Sequence, residues 1–364
     1  MARRIAVIQD SCFSQTLTRI RADSWIYLAI LVYTICGLLL LDSLGARKQA
    51  AFSSYLPNWP LTFLVTMPLF TLLVEALLVV RRFGRRPLAF RRAFSAKRLA
   101  HLFSGMALMM ALILFQGTFT SIKNVFPLLH GGSFPYDRLH ANIDAWLHFG
   151  HDPWRLLYAV GRYDIVRDIL DWNYGLFWAV VCFGALFFAM TSPRAETIRS
   201  RYIIMFMLVW ILCGNILAGI FLSAGPAFYG AVTGDTARFA DQLAFLAGHD
   251  SMNSAATYQH YLWILYVKGD AGFASGISAF PSVHVGTVTM TALFAAEHSR
   301  RLGAIAFTYL AVILVSSVYL GWHYAIDCYV SLVVVAACYF AVKKCMALRE
   351  TSWAEPALEP TPTG

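Results

Sequence analysis

AFPSVHVGTVTMTALFAAE (279–297), GAIAFTYLAVILVSSVYL (303–320) and YAIDCYVSLVVVAACYFAV (324–342) follow one another with only short breaks between them. Each is close to the roughly 20 apolar residues that carry a helix across about 30 Å of hydrocarbon. The stretch therefore predicts three consecutive membrane spans. Toward the N-terminus, runs of the same kind fall near 25–44, 61–80, 101–120, 173–191 and 202–223. The expected fold is all-α and polytopic, with about eight transmembrane helices. Composition agrees: 59% of the 364 residues are hydrophobic and only 13% are charged. The mean hydropathy of +0.59 is far from soluble averages.

The aromatic complement, with 10 Trp and 17 Tyr, suits two interfacial belts at headgroup level. Cys12, Cys36, Cys182, Cys213, Cys328, Cys338 and Cys345 lie mostly in apolar runs with no Cys-x-x-Cys pair, a pattern of neither a zinc site nor a disulfide framework. The net charge of +9 comes from basic residues beside apolar runs. It forms no aromatic-interleaved patch of the kind that binds nucleic acid.

With a cytoplasmic N-terminus, 20 of the 29 Lys and Arg fall in inner segments around 3–21, 81–98, 194–201, 300–301 and 343–349. The positive-inside rule then places both termini in the cytoplasm. No short apolar core with a small-residue cleavage site precedes the first long run, so the N-terminus is expected to be retained. The outer side owns two long segments, 121–172 and 224–278. The first contains DAWLHFGHDPWRLLYAVGRYDIVRDILDW, apolar and charged residues interleaved at helical spacing, and reads as interfacial helices. The expected organisation is 1–100 as a cytoplasmic segment with two additional spans, 101–345 as a core, and 346–364 as a polar, Pro-rich disordered tail.

Ionisable residues inside spans are costly and mark functional sites. His284 lies in GISAFPSVHVG, and His323 and Asp327 lie in SVYLGWHYAID; both stretches fall at outer ends of spans. His323 and Asp327 are four apart, on one helical face. A carboxylate so placed orients the imidazole and leaves its other nitrogen as nucleophile or base. His284 follows Pro281 at a helix start, where unpaired amides favour an oxyanion. A lone membrane histidine is more often a packing residue, and it is the co-location of all three that makes a site. Glu75, Gln116 and Asn215, also within apolar runs, are expected to hydrogen-bond between helices.

PSVH followed by HYAID resembles the second and third signatures, P-S-G-H and S-R-x5-H-x3-D, of the type 2 phosphatidic acid phosphatase superfamily, over about residues 101–342. The resemblance implies a six-helix core. It also implies that His323 attacks phosphorus to give a phosphohistidine, that Asp327 orients it, and that His284 protonates the leaving oxygen. Two cationic clamps of the family pattern are missing. Ser316 and Ser317 stand where Ser-Arg is usual, and Val283 replaces the glycine. The only Arg-Pro, Arg86 and Pro87, has Val79 where the first signature has lysine.

A phosphate monoester carries nearly two charges and a diester one, so lost cations cost least for a diester. In this the chain is similar to the inositol phosphorylceramide synthase branch, whose third signature is also His-Tyr-x2-Asp. IDAWLHFGHDP (143–153) and SAGPAFYG (223–230) resemble that branch and its bacterial relatives more loosely. Within the second stretch, Gly225 and Pro226 either line the substrate or simply end the fifth span.

The expectation is a membrane phosphotransferase moving a phospho-alcohol head group from a phospholipid or polyprenyl donor to a lipid or glycan hydroxyl. Ser282, Lys268 and Arg138 are the expected phosphate ligands beside His323, His284 and Asp327. No cofactor is implied. Two histidines and an aspartate are also compatible with a metal triad, which the phosphohistidine scheme does not require. The alternatives are a lipid phosphate phosphatase and, from another class, a proton-coupled transporter, against which the lack of paired Gly- or Pro-broken spans argues. Compact loops suit a bacterial inner membrane with a periplasmic site.

Overall fold

The structure is a computed structural model that describes residues 2–81, 84, 86–248 and 254–354; the side chains of 2–10, 86, 89, 92 and 349–354 are outside the description. Among the described residues all regular structure is helical. We number the principal helices α1 (Ala2–Ala22), α2 (Ser24–Ser43), α3 (Leu61–Arg81), α4 (Ala96–Asn124), α5 (Asp137–Leu147), α6 (Pro153–Gly161) and α7 (Asp164–Thr191). They continue as α8 (Pro193–Ile220), α9 (Ala240–Ala247), α10 (Ala255–Lys268), α11 (Val283–His298), α12 (Arg300–Tyr319) and α13 (Ala325–Ala354).

Seven helices among the described residues, α2, α3, α4, α7, α8, α12 and α13, are long and apolar enough to cross a bilayer. The eighth expected span, 279–297, is shorter. Residues 279–282 are not helical, and α11 has 16 residues, about 24 Å of helix. It packs mainly against α12 and α13. Gly286 lets it approach α8 and α13, because a Cβ there would lie 3.1 Å from Val209 and 3.3 Å from Val335. Serines start several helices by accepting a backbone N–H in the first turn: Ser95 for α4, Ser254 for α10, Ser282 for α11 and Ser299 for α12.

Ion pairs gather at the end of the bundle opposite His284 and His323. Arg98 pairs with Glu75 at 2.8 Å, Arg19 with Glu196 at 2.9 Å, Lys343 with Glu297 at 2.6 Å, and Arg201 with the same Glu297. Buried Arg199 holds buried Asp23 through two hydrogen bonds of 2.5 and 2.6 Å. This is the end whose basic residues the sequence reading assigns to the cytoplasm. Of those residues, Arg82 and Arg85 and the side chains of Arg3, Arg4, Arg86, Arg92 and Arg349 lie outside the description.

Glu75 and Asn215 link helices as expected, Asn215 by contact with Tyr33 and Phe119. The buried amide nitrogen of Gln116 has no partner. The helix of the last span continues to Ala354, past the expected start of the tail at 346, because the first helix-breaking proline is Pro356. Residues 355–364 lie outside the description.

Candidate active site

The chain between α12 and α13 makes a tight turn that carries His323. Gly321, at φ +70°, takes a left-handed conformation that glycine adopts without steric cost. The backbone amides of Trp322 and His323 both reach the Ser317 carbonyl, at 3.0 and 3.2 Å. Side-chain amides from the outer helices brace the turn: Gln242 of α9 donates to the Val318 carbonyl (2.8 Å) and Gln259 of α10 to that of Leu320 (2.9 Å). His323 Nδ1 sits 3.4 Å from Asp327 Oδ2, and the other carboxylate oxygen, Oδ1, lies 4.0 Å from His140 Nδ1. Burial, and then the charge of Lys123, lower the His323 pKa to about 3, so this imidazole is neutral at ordinary pH.

Helix α5 fixes the turn from one side. Asp137, His140 and Asp144 recur at helical spacing on its buried face. Asp144 accepts the amides of Ala325 (2.6 Å) and Ile326 (2.7 Å), the otherwise unpaired N–H groups that open α13. Asp137 accepts the amides of Ala224 (2.7 Å) and Gly225 (2.9 Å) and the Tyr324 hydroxyl (2.7 Å). The 143–153 motif thus contributes Asp144 as a cap for the helix that carries Asp327. Asp137, outside that motif, ties the 223–230 motif to the same turn.

Burial raises the Asp144 pKa to about 7 and that of Asp137 to about 6, and lowers that of His140 to about 4. A carboxyl with a raised folded-state pKa binds a proton in the folded protein before the unfolded chain does. Between about pH 4 and pH 7, its contribution to stability therefore falls as pH rises. Asp144→Asn removes this contribution and one of the two cap bonds, for a cost of about 0.5–2 kcal/mol. Melting in detergent should show a wild-type advantage over Asp144→Asn that is larger at pH 5 than at pH 8. An advantage that grows with pH would contradict this assignment.

His284 stands at the start of α11, across from His323, with ring centroids 6.4 Å apart. It is half-buried in an aromatic slot: Tyr174 stacks on it at 4.3 Å, Trp178 packs at 3.9 Å, and the Trp178 indole N–H donates to the His284 carbonyl at 3.3 Å. Tyr174 lies in a π-helical turn of α7, Asn173–Phe177, a distortion common at functional sites. A phosphorus atom between the two rings meets one imidazole at attack distance, about 3–3.5 Å. The other is then within proton-transfer reach of the oxygen that leaves.

The remaining predicted residues divide. Ser282 is fully buried, and its Oγ accepts the Val285 amide (3.3 Å) as the N-cap of α11; its carbonyl accepts from Ser331 (2.7 Å). Accepting that amide engages one lone pair of its oxygen and leaves its O–H able to donate. Lys268 is exposed at the C-terminus of α10. Arg138 is exposed and donates to the Thr233 carbonyl at 2.5 Å. Both lie at the surface: α5 turns Asp137, His140 and Asp144 inward, and Arg138 is on its exposed face. A further cation, Lys123 at the end of α4, packs against Gly276, in the segment that leads into His284. Its signal was a lysine closing an apolar run on the outer side.

Gly225 and Pro226 lie beneath the His323 turn. Pro226 lines a small cavity with His323, Tyr324, Gln242 and Asp144. Gly225 has φ +97° and ψ 169°, and a Cβ there would come within 2.8 Å of the Trp322 carbonyl. Gly225→Ala is expected to cost about 1–3 kcal/mol in backbone strain and to lower turnover by displacing Trp322 and His323. Thermal unfolding and initial rates check this, and wild-type values in both would refute it.

Among the described residues no three His, Cys, Asp or Glu side chains form a metal-ligating group. A family model described as the PAP2 superfamily matches residues 139–341. No curated protein and no solved structure gives a significant match. The match takes in α5 through most of α13, with both histidines and the helix that holds their turn, and the chain belongs to the PAP2 superfamily.

Proposed function

We propose that the protein is an integral membrane phosphotransferase that moves a phospho-alcohol head group from a phospholipid or polyprenyl-linked donor to a lipid or glycan hydroxyl. The observation that carries the reading is the facing pair His323 and His284, with Asp327 beside the first. The free nitrogen of neutral His323 attacks phosphorus, and the bond from phosphorus to the donor's alcohol oxygen breaks. His284, which takes up a proton as the negatively charged phosphate enters beside it, gives that proton to the departing oxygen. The acceptor hydroxyl then passes its proton to His284 and attacks phosphorus, the N–P bond breaks, and His323 is regenerated. Asp327 holds the Nδ1 proton throughout and stabilises the charge on the ring.

Transfer is favoured over hydrolysis by the identity of Ser316 and Ser317. Both are fully buried, and their hydroxyls bond back to the Val312 (2.7 Å) and Ile313 (2.8 Å) carbonyls of their own helix. Neither position supplies the positive charge that a dianionic monoester needs. We place the protein in the inositol phosphorylceramide synthase-like branch, in a bacterial inner membrane, with both termini cytoplasmic and the site periplasmic. The basic ion-pair end and the histidine end of the bundle support that orientation.

The test is mass spectrometry of products after incubating purified protein with mixed phospholipids and candidate acceptor alcohols. A head group appearing on an acceptor is the expected result. Release of inorganic phosphate from monoesters without transfer would overturn it in favour of a phosphatase.

A further inference from the structure

Lys123 lies in the last turn of α4, one turn beyond Phe119, and Phe119 and Val283, the neighbour of His284, both pack on Gly214, where a Cβ would clash with the one and lie 2.9 Å from the other. Lys123 is half-buried, and no acidic side chain is paired with it among the described residues. Its position is well defined. Gly276 packs so closely that a Cβ there would lie 2.9 Å from Lys123 Cγ. The next residue, Asn124, donates to the Gln49 carbonyl at 3.0 Å and accepts from Ser275 Oγ at 2.9 Å. The end of α4 is thereby fixed against the segment that leads into Ser282 and His284.

Lys48 and Lys268, also on this side, are exposed to solvent, and other cations here have partners. Arg238 clasps Asp152 at 2.7 Å, Arg47 pairs with Asp42 at 2.6 Å, Arg167 with Asp164 at 3.1 Å, and Arg138 bonds a carbonyl. A half-buried, unpaired ammonium is stabilised when an anion joins it. The charge also presses on both imidazoles, which a bound phosphate relieves.

We propose that Lys123 is the cation that holds the substrate phosphate between His284 and His323, and that this single charge matches the site to a singly charged phosphodiester over a dianionic monoester. The inference rests on the phosphotransferase reading of the site. Lys123 supplies from α4 the charge that the family pattern places in its first and third signatures. It binds the non-bridging oxygens while His323 attacks phosphorus and His284 serves the bridging oxygen that leaves.

The test uses the full-length protein in detergent, as wild type, Lys123→Met, Lys123→Arg and His323→Ala, with calorimetric binding of dibutyl phosphate and monobutyl phosphate at pH 8. The expected result is diester binding by wild type and by His323→Ala, weakened on the order of tenfold or more in Lys123→Met and largely kept in Lys123→Arg. Equal affinity in Lys123→Met, no diester binding by wild type, or preference of wild type for the monoester overturns the proposal. Where Lys123→Met does not fold, Lys123→Gln takes its place, with a wild-type melting temperature as the control.

His323→Ala cannot turn over, so binding is read apart from chemistry. Lys123-dependent diester binding without any head-group transfer would sink the phosphotransferase reading and leave the clamp standing. Transfer with an unchanged KM in Lys123→Met would sink the clamp alone.

Discussion

His323→Ala should lower head-group transfer by a factor on the order of 10⁴ or more, the scale of losing a nucleophile, and remove any acid-labile phosphoenzyme. The physical reason is that the turn between α12 and α13 presents one neutral imidazole, beside Asp327 at 3.4 Å. No other described nucleophile has both an orienting carboxylate and a facing histidine. Trapping with radiolabelled donor, acid quench and filter assay measures the intermediate directly. Full activity in the alanine variant would make the covalent mechanism wrong.

His284→Ala is expected to lose about 10²–10⁴-fold with a natural donor, the range for a general acid. The loss should depend on the leaving group. A donor carrying a nitrophenol in place of the lipid alcohol departs without a proton, so the variant should still form phosphoenzyme from it at a rate near that of wild type. Transfer to the acceptor should stay slow, because His284 must also take up the acceptor's proton. Equal losses with both donors would assign His284 to packing in the Tyr174 and Trp178 slot and not to proton transfer. That slot gives a structural role its own signature, a lowered melting temperature, which this variant should show only weakly.

Much of the site was legible because its chemistry is local. His323 and Asp327 are four apart and were read as one helical face; in the structure Asp327 lies in the first turn of α13 while His323 sits in the turn before it. The carboxylate still comes within 3.4 Å of the ring, without a formed hydrogen bond, where Asp144 caps α13 and holds the turn. Asp144 was visible only as part of a loose motif, and its target could not be read, since α5 and α13 are far apart in the chain.

The placing of cations around the site is likewise a matter of packing between helices. Lys268 and Arg138 were favoured by their nearness to the motifs, whereas Lys123 arrives from a different helix. Ser282 shows the converse: the residue sits where the motif places it, and the structure adds a second role, the cap of α11.

The length and spacing of apolar runs determined the all-α membrane fold, since a backbone in hydrocarbon must satisfy its own hydrogen bonds and a helix does so within one segment. The same local reading identified the two histidines and the aspartate, because a motif needs only short-range spacing. What only tertiary structure decided is what packing between distant helices controls: the 6.4 Å separation of the histidines, the bracing of their turn by Asp144, Gln242 and Gln259, and the docking of the Lys123 end of α4 against Gly276. Helix-to-helix contacts are set by the shapes of whole faces, and no single stretch of sequence carries both sides of such a contact.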